Sequence, residues 1–439
     1  MPGFLPELRW RGQFHAASEG LEARLATRRP ISAYNGFDPS GPWLHIGHLV
    51  PIFGLIRLQA HGGQPIVVVG GGTGMIGDPS GRSSERNLLS REQLEANVTS
   101  IRPQLERFLD FSGERGARLV NNLDWLEPIR LLDFLRDVGK HFTIPYMLAK
   151  DSVQVRLEGG LSFTEFSYML IQATDFAHLY RTMGVELQMG GADQWGNITA
   201  GLELIRRTGA GAAGGGAGPG ASAAASSEPD AFALAYPLLL NASGAKFGKS
   251  ETGDSVWLHP GGTSPFAFYQ HWLKTDDRDV SGYLRWFTTL PPDEIEALEA
   301  AVAERPEARE AQRTLAFDIT ARVHGSDVAT AVAADSELLF GGEAIGDPAV
   351  FERLYPNVEG SFSIGAELAA APLVVVLADR GVVASRGEAR RLVEGGGIVV
   401  NGERVTDPAA VLPAPLGERW WEIRVGKRRR VIGRLDEGA

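Results

Sequence analysis

The feature that most constrains the fold of this chain is a strand-turn-helix-strand pattern near its N-terminus. An apolar run from Ile31 to Phe37 predicts a strand, and a turn rich in Pro and Gly follows it. A helical pattern extends from about Ile46 to His61 and stops at Gly62-Gly63, and Ile66 to Val69 predicts the next strand. Two strands joined through a helix are typical of a parallel sheet, so the pattern predicts an α/β fold.

Two histidines, His45 and His48, stand at the start of this predicted helix. A helix N-terminus has free N–H groups and the positive end of the helix dipole, so it suits a phosphate. Imidazoles three residues apart can share one face and donate hydrogen bonds to the same anion. The alternatives are two ordinary histidines or half of a metal site, although the chain has no Cys and no Glu follows His45.

The composition separates an acidic body from a basic tail. The chain has 439 residues, enough for two to four domains, and its lack of Cys excludes disulfides and thiolate metal sites. Residues 371–439 hold 12 Lys and Arg against 9 Asp and Glu, a net charge of +3, within a chain of net charge −11. The remaining residues therefore carry −14. A basic module on an acidic body is one way to bind RNA.

The N-terminal residues carry no recognisable targeting signal. Residues Met1 to Arg24 mix charged with apolar side chains, unlike a signal peptide. Apolar runs stay well below the length of a membrane span. With the absence of Cys, these observations predict a soluble cytoplasmic protein without a membrane partner.

A Gly-rich loop, Gly70 to Gly81, follows the second predicted strand. In open α/β sheets, ligands bind at the carboxyl ends of the strands, and glycine lets the backbone approach a ligand closely. Arg82 and Arg86 come next, and they could clamp a pyrophosphate or simply be solvated. The glycines are not the dinucleotide fingerprint, because that motif would have to open the first helix.

A helical pattern over residues 161–183 carries polar side chains on a largely apolar surface. Tyr168, Gln172 and Asp175 recur at i, i+4 and i+7, which places them on one face. This stripe indicates a wet pocket or a polar ligand, unless it is a chance exposed stripe. The sequence therefore predicts a polar site along this helix.

A second Gly-containing loop follows the next predicted strand, Val185 to Gly190. There, Gly191 precedes Asp193, an acid suited to hold a ribose. Residues 209–229 consist almost wholly of Gly, Ala and Ser, so we expect a flexible surface insertion without chemistry.

A pair of lysines lies in the loop after the run Tyr236 to Leu240, which predicts a strand. Lys246 and Lys249 are three residues apart among glycines, so both can close on phosphates as mobile charges. A solvated basic turn is the alternative interpretation.

The remainder of the chain predicts helices, a linker and a basic module. The pattern is helical from Ser264 to about Phe340, and residues 341–370 have the Pro and Gly content of a linker. A basic helix and a basic hairpin at Lys427 to Arg430 then predict an RNA-binding unit. The residues proposed to hold RNA are Arg386, Arg390, Arg391, Lys427, Arg428 and Arg429.

These motifs together resemble the bacterial tyrosyl-tRNA synthetases, which are class I aminoacyl-tRNA synthetases, over nearly the full chain. The resemblance rests on motifs that follow the family's order: Tyr34-x-Gly-Phe-Asp38-Pro, His45-Ile-Gly-His48, Gly74-x-Ile-Gly-Asp78-Pro-Ser, Thr164-Glu-Phe-Ser-Tyr168, Gly191-x-Asp193-Gln194-Trp and Lys246-Phe-Gly-Lys249-Ser. The tail resembles an RNA-binding domain of the ribosomal protein S-four type. The resemblance implies a Rossmann-like catalytic domain (1–255), an α-helical domain (256–345), a linker (346–370) and the RNA-binding domain (371–439).

The resemblance also implies roles for the candidate residues in joining tyrosine to tRNA(Tyr) at the expense of ATP. The phosphate chemistry would fall to His45, His48, Lys246, Lys249, Arg82 and Arg86. Tyrosine would be held by Tyr34, Asp78, Tyr168, Gln172, Asp175 and Gln194. ATP would meet Gly36, Asp38, Ser40, His45, His48, Gly191, Asp193 and Lys249. Mg²⁺ would arrive with ATP and no metal would be bound by the protein alone, and the resemblance implies a homodimer.

Several positions depart from the family pattern, and other functions stay open. Asn35, Gly72 and Thr174 stand where the family often has Cys, Ala and Tyr, and Ser40 replaces a Thr. The alternatives are a tryptophanyl-tRNA synthetase, a cofactor adenylyltransferase and a non-catalytic RNA-binding protein. The adenylyltransferase would not need a basic tail, and the RNA-binding protein would not need the phosphate-binding groups.

Overall fold

The chain folds into two units. A computed structural model describes residues 3–80, 89–157, 160–209, 230–244, 247–248, 255–340, 345, 347–358, 360–426 and 429–436. The first unit comprises Met1–Thr263 with Thr275–Leu315, and the second comprises Ser264–Lys274 with Ala316–Ala439. Nearly all of the expected insertion at 209–229 lies outside the described residues.

The first unit is built on a six-stranded sheet. Its strands are β1 (Ala16–Ala17), β2 (Ser32–Phe37), β3 (Gln64–Val69), β4 (Arg118–Asn121), β5 (Leu187–Gly191) and β6 (Phe232–Tyr236). The spatial order is β1-β6-β5-β2-β3-β4, and every pair is parallel except β1 with β6. After β2, the chain adds β3 and β4 on one side of that strand, and it later adds β5 and β6 on the opposite side. The carboxyl ends of β2 and β5 therefore lie where the strand order reverses, which is where open α/β sheets bind ligands.

Helices fill the connections between these strands and continue the first unit beyond the sheet. They are α1 (Phe4–Trp10), α2 (Leu21–Ala26), α3 (Leu49–Ala60), α4 (Arg91–Leu105), α5 (Leu123–Leu126), α6 (Leu131–Asp137), α7 (Ile144–Leu148), α8 (Asp151–Leu157), α9 (Phe163–Met183), α10 (Trp195–Thr208), α12 (Asp277–Phe287), α13 (Pro292–Glu304) and the start of α14 (Glu310–His324). A short 3₁₀ turn, Ile46–His48, opens α3. Ser90 and Gln93 form the capping box that starts α4. The helical pattern over 161–183 is confirmed by α9, and the described helices include none that is long and apolar enough to cross a membrane.

One predicted strand is wrong. The sequence pattern placed a strand at Tyr236 to Leu240, whereas β6 ends at Tyr236. Pro237 has no N–H to donate, and β6 lies between β1 and β5, where a proline would remove a ladder hydrogen bond. The strand is instead the fully buried run Phe232–Tyr236, whose continuous apolar character suits a strand covered on both faces.

The second unit combines helices with a five-stranded sheet. Its helices are α11 (Pro265–Leu273), the remainder of α14, α15 (Ser326–Phe340), α16 (Pro348–Leu354), α17 (Ala366–Ala369), α18 (Leu373–Asp379) and α19 (Arg386–Glu394). Its strands are β7 (Phe362–Ile364), β8 (Ile398–Val400), β9 (Glu403–Val405), β10 (Trp420–Val425) and β11 (Arg429–Leu435), in the order β7-β11-β10-β8-β9. The basic helix and the basic hairpin predicted in the tail are present as α19 and β10–β11, and β8 and β9 form a second hairpin.

The segment expected to be a linker is folded over most of its described residues. Pro348 begins α16 at the first helical position, where its missing N–H is not needed, and Phe351 and Leu354 of that helix are fully buried. Strand β7 pairs parallel with β11. Proline therefore marks a helix start here, and the division of the chain into the four expected domains stays a prediction.

Two buried carboxylates connect separate segments of the second unit. Asp335 on α15 is 2% exposed and accepts hydrogen bonds of 2.9 Å from Arg353 on α16. Glu422 on β10 is 1% exposed, lies 3.1 Å from the guanidinium of Arg430 and accepts a 2.9 Å bond from the backbone N–H of Ile345. Because buried charges need partners, these pairs hold the segments together as one unit.

Candidate active site

A cavity of about 400 Å³ opens at the carboxyl ends of β2 and β5. Its lining is drawn from both strands, the start of α3, the Gly-rich loop and α9. Thirteen of the residues predicted from the sequence line it: Tyr34, Gly36, Asp38, Ser40, His45, His48, Asp78, Tyr168, Gln172, Asp175, Gly191, Asp193 and Gln194. Residues spread over 160 positions of the chain therefore meet in one place.

The two histidines present matched donors to this cavity. Their ring centroids are 4.0 Å apart. Nδ1 of His45 accepts a 3.1 Å bond from the N–H of Gly47, and Nδ1 of His48 accepts a 3.0 Å bond from the N–H of His45. Nδ1 of His48 also lies 3.3 Å from the carbonyl oxygen of His45, but a backbone N–H can only donate, so we assign Nδ1 as an acceptor. The proton of each neutral ring then lies on Nε2.

Both imidazoles stay uncharged at neutral pH. Burial lowers the pKa of His45 to about 4, and burial together with the neighbouring His45 lowers the pKa of His48 well below its usual value. The site therefore offers two neutral N–H donors and the start of α3. These groups can stabilise developing negative charge without carrying a full positive charge.

Two carboxylates in the cavity lining are already oriented by hydrogen bonds. Asp38 accepts bonds from the hydroxyls of Thr73 (2.8 Å) and Tyr168 (3.0 Å). Asp78 accepts bonds from the N–H of Ser80 (2.9 Å) and from Nε2 of Gln194 (2.6 Å). Asp38 and Asp78 give this part of the cavity a negative charge that suits a cationic ligand group such as an ammonium.

The cavity lining includes a buried hydroxyl next to a buried acid. Among the described residues, the hydroxyl of Tyr34, a residue that is 2% exposed, has no hydrogen-bond partner. Burial and the nearby Asp175 raise the pKa of Tyr34 well above its usual value. An unpaired hydroxyl in such a place is unfavourable unless a ligand satisfies it, so it points to a ligand with a polar group of its own.

Asp175 is held by two donors that the sequence interpretation missed. Nδ2 of Asn122 donates to it at 2.9 Å, and Nε1 of Trp125 donates at 2.8 Å. Burial raises the pKa of Asp175 to about 7 in spite of these bonds. Asn122 and Trp125 directly follow β4, so the same strand-end rule that singled out the Gly-rich loop could have found them.

Several predicted residues cannot be placed. Four cations assigned to phosphate chemistry lie outside the described residues: Arg82, Arg86, Lys246 and Lys249. Among the described residues that line the cavity there is no Lys or Arg. Phe247, one of the two residues between these lysines, does line the cavity. The described part of this loop therefore reaches the site.

The basic residues of the tail are partly described. Arg386, Arg390 and Arg391 on α19 are exposed, and Arg386 pairs with Asp379 at 3.2 Å. Arg429 is exposed as well and donates a 2.6 Å bond to the carbonyl oxygen of Val382. Lys427 and Arg428 lie outside the described residues.

Arg430 corrects one expectation, because the whole run Lys427 to Arg430 was expected to face RNA. Its guanidinium lies beside Glu422, and Nη1 donates a 2.7 Å bond to the carbonyl oxygen of Leu338. Only 6% of Arg430 is exposed. Side chains on a strand alternate between faces, so Arg429 points outward and Arg430 inward.

Comparisons with known proteins agree with this site. The model of the family "tRNA synthetases class I (W and Y)" matches residues 26–341, and that of the S4 domain matches residues 372–413. A tyrosine–tRNA ligase of Anaeromyxobacter dehalogenans is 52% identical over 92% of this chain and 91% of its own length. One from Geobacillus stearothermophilus is 46% identical over 97% of this chain and 98% of its own length.

A solved structure supports the same assignment. The C-terminally truncated mitochondrial tyrosyl-tRNA synthetase of Aspergillus nidulans superposes with a TM-score of 0.68 at 30% identity. The superposed residues cover 77% of this chain and 95% of the Aspergillus nidulans chain. The chain therefore belongs to the class I tRNA synthetases of the tryptophan and tyrosine group, and within that group to the tyrosine–tRNA ligase family, with an S4 domain near its C-terminus.

Proposed function

We propose that the protein activates L-tyrosine with ATP, forming tyrosyl-AMP and pyrophosphate, and then transfers the tyrosyl group to the 3′ end of tRNA(Tyr). The observation that carries this proposal is the buried pair of Tyr34 and Asp175 in the lining of the cavity. The hydroxyl of a phenol can donate a hydrogen bond to Asp175 and accept a hydrogen bond from the unpaired hydroxyl of Tyr34. Tryptophan is the second candidate, because the family model covers both amino acids, but an indole N–H only donates.

The ammonium group of tyrosine would lie among the acids of the cavity lining. We assign its recognition to Asp78, Tyr168 and Gln172, with Gln194 directing one oxygen of Asp78 through their 2.6 Å bond. Asn197 donates to the amide oxygen of Gln194 at 3.1 Å, which supports this orientation. The charge-assisted contacts to Asp78 would fix the substrate carboxylate relative to the nucleotide.

The nucleotide would lie across the switch point of the sheet. We assign its adenosine part to Gly36, Asp38, Ser40, Gly191 and Asp193, all of which line the cavity. A strand-end glycine leaves room for the ligand, and an acid such as Asp193 suits the ribose hydroxyls. Asp38 is held by Thr73 and Tyr168, so it would meet ATP in a fixed position.

In the first step, a carboxylate oxygen of tyrosine attacks the α-phosphorus while the bond to the β-phosphate breaks. The negative charge that develops at the α-phosphate would be stabilised by the Nε2–H groups of His45 and His48 and by the start of α3. We assign the leaving pyrophosphate to Lys246, Lys249, Arg82 and Arg86. Mg²⁺ would enter with the phosphates of ATP, which supply the oxygen ligands it prefers.

A second copy of the chain is the proposed partner of an exposed apolar surface. Large apolar side chains with 59–77% exposure recur within residues 131–163: Leu131, Leu132, Ile144, Val155 and Phe163. A homodimer would remove them from water, which is the usual reason for such exposed apolar side chains.

We also assign the binding of RNA to the exposed arginines of α19 and to the β10–β11 turn. We place the reaction in the cytoplasm, where tRNA is charged.

Amino-acid-dependent exchange of pyrophosphate into ATP tests the proposed reaction. We expect exchange with tyrosine and none above background with phenylalanine or tryptophan at equal concentration. Phenylalanine would leave the Tyr34 hydroxyl and Asp175 unpaired, which is the kind of discrimination that hydrogen-bonding sites achieve. Exchange that depends on tryptophan would instead identify the other amino acid of the group, and no exchange with any amino acid would contradict an adenylation function.

A further inference from the structure

Three aromatic side chains form a series of ring contacts that ends on His45. The indole of Trp43 and the imidazole of His259 stack with 4.9 Å between centroids and 3° between planes. Trp257 meets the edge of Trp43 at 6.0 Å and the ring of His45 at 6.1 Å and 69°. We call Trp43, Trp257 and His259 the aromatic cluster. It connects a loop before α3 with a segment more than 200 residues later in the chain.

Backbone pairing brings the two segments together. The N–H of Ile46 donates a 2.9 Å bond to the carbonyl of Val256, and the N–H of Leu258 donates a 2.8 Å bond to the carbonyl of Leu44. His45 and Trp257 are partners in this antiparallel bridge. Hydrogen bonds of the adjacent residues Leu44 and Ile46 therefore fix the backbone of His45, and the ring of Trp257 contacts its imidazole.

A tight turn after Trp257 completes the cluster. Nδ1 of His259 accepts a 3.1 Å bond from the N–H of Gly261, and the hydroxyl of Thr263 accepts a 2.9 Å bond from the N–H of Trp257. A Cβ on Gly262 would lie 2.6 Å from the ring of Trp257, so only glycine leaves the indole in place. The turn is thus shaped around the aromatic rings.

We propose that Trp43 and His259 are positioning residues for catalysis: their stack fixes Trp257, which orients the imidazole of His45 towards the α-phosphate. This inference rests on the proposed adenylation reaction. His45 makes its phosphate contact through one N–H, so a small rotation of the ring misdirects that bond. Misplacement by about 1 Å at a reacting centre can lower a rate by about 100-fold.

Two replacements of His259 separate the stack from the turn. His259→Phe keeps an aromatic ring against Trp43 but removes the acceptor for Gly261. His259→Asn keeps a side-chain acceptor two residues before Gly261 but removes the ring. We expect His259→Phe to retain adenylate formation within about threefold and His259→Asn to lose about 10- to 100-fold in kcat. The KM for tyrosine should stay within about twofold in both, because the tyrosine contacts lie elsewhere in the cavity.

Trp43 and an unrelated histidine supply the matched controls. Trp43→Leu should resemble His259→Asn, and Trp43→Phe should resemble His259→Phe. His15 is exposed, so His15→Asn should leave exchange unchanged. If His259→Asn were active and His259→Phe impaired, kcat would depend on the turn and not on the stack, and the inference would be overturned. Equal activity of the four variants at Trp43 and His259 would overturn it as well.

An NMR measurement tests the inference without relying on activity. In protein labelled with ¹³C-histidine, the ring signal of His45, assigned by its loss in His45→Asn, reports the ring current of Trp257. It should shift in His259→Asn and Trp43→Leu and stay in place in the two Phe variants. An unmoved His45 signal in His259→Asn would refute the positioning role. Wild-type protein without tyrosine-dependent exchange would refute the proposed reaction instead, and leave the NMR comparison to decide the orientation of His45.

Discussion

Replacing Asp175 with Asn should stabilise the protein at alkaline pH while abolishing tyrosine activation. Burial raises the pKa of Asp175 from 3.8 to about 7, so the folded protein holds a proton that the unfolded chain releases between these values. The unfolded state then binds fewer protons than the folded state, and stability falls as the pH rises through this window. At 1.36 kcal/mol for each pKa unit, the ionised carboxylate destabilises the folded state by about 4 kcal/mol above pH 7.

Asparagine has nearly the shape of the acid, but its amide nitrogen cannot accept a hydrogen bond, so either Asn122 or Trp125 loses its acceptor at every pH. We expect this loss to lower the free energy of unfolding by about 1–3 kcal/mol near pH 4, and the variant to gain about 4 kcal/mol relative to the wild type between pH 4 and pH 8. Thermal unfolding of both proteins at pH 4, 5, 6, 7 and 8 measures this change, which should move the difference in Tm by several degrees in favour of the variant. A constant difference across the series would show that Asp175 has an ordinary pKa, and a wild type that is more stable at pH 8 would refute the reasoning.

Three other outcomes are expected. Tyr34→Phe should raise the relative use of phenylalanine by removing one phenol partner, measured as the ratio of kcat/KM values for tyrosine and phenylalanine in pyrophosphate exchange. His48→Ala should lower kcat for adenylate formation by roughly 10²–10³ with little change in tyrosine binding, and an equal loss in both would contradict a role at the phosphate. Replacing Arg390 and Arg391 with Ala should weaken tRNA binding and reduce the slope of log K against log salt by about one per lost phosphate contact, while tyrosine exchange stays unchanged.

The sequence was most informative where a local rule applied. The helix start at His45 and His48, the polar face of α9 and the strand-end loops each follow from spacing within a few residues, and all of them line the cavity. The strand-end rule points to Asn122 and Trp125 as site residues, but their contacts with Asp175 span 50 or more positions, so no local pattern shows these contacts. They depend on the order of strands in the sheet, which single-sequence periodicity does not give.

Proline and alanine caused the errors in the fold. The run Phe232–Tyr236 borders the Gly/Ala-rich insertion, and its two small residues hid a buried strand, so the predicted strand began where β6 ends. Pro348 and Pro356 suggested a linker, although proline is also common in the first turn of a helix. In both cases, tertiary burial decided the structure, and composition alone pointed the other way.

The ion pair between Asp335 and Arg353 limits where domains could be recombined in this protein during evolution. A gene fusion that replaced α16 with another segment covering Asp335, which is 2% exposed, would leave its carboxylate buried without a guanidinium. An isolated buried charge is strongly destabilising, so such a fusion would need a second mutation at Asp335 before it could be tolerated. Lineages in which a different segment covers this face of α15 should therefore carry a neutral residue there.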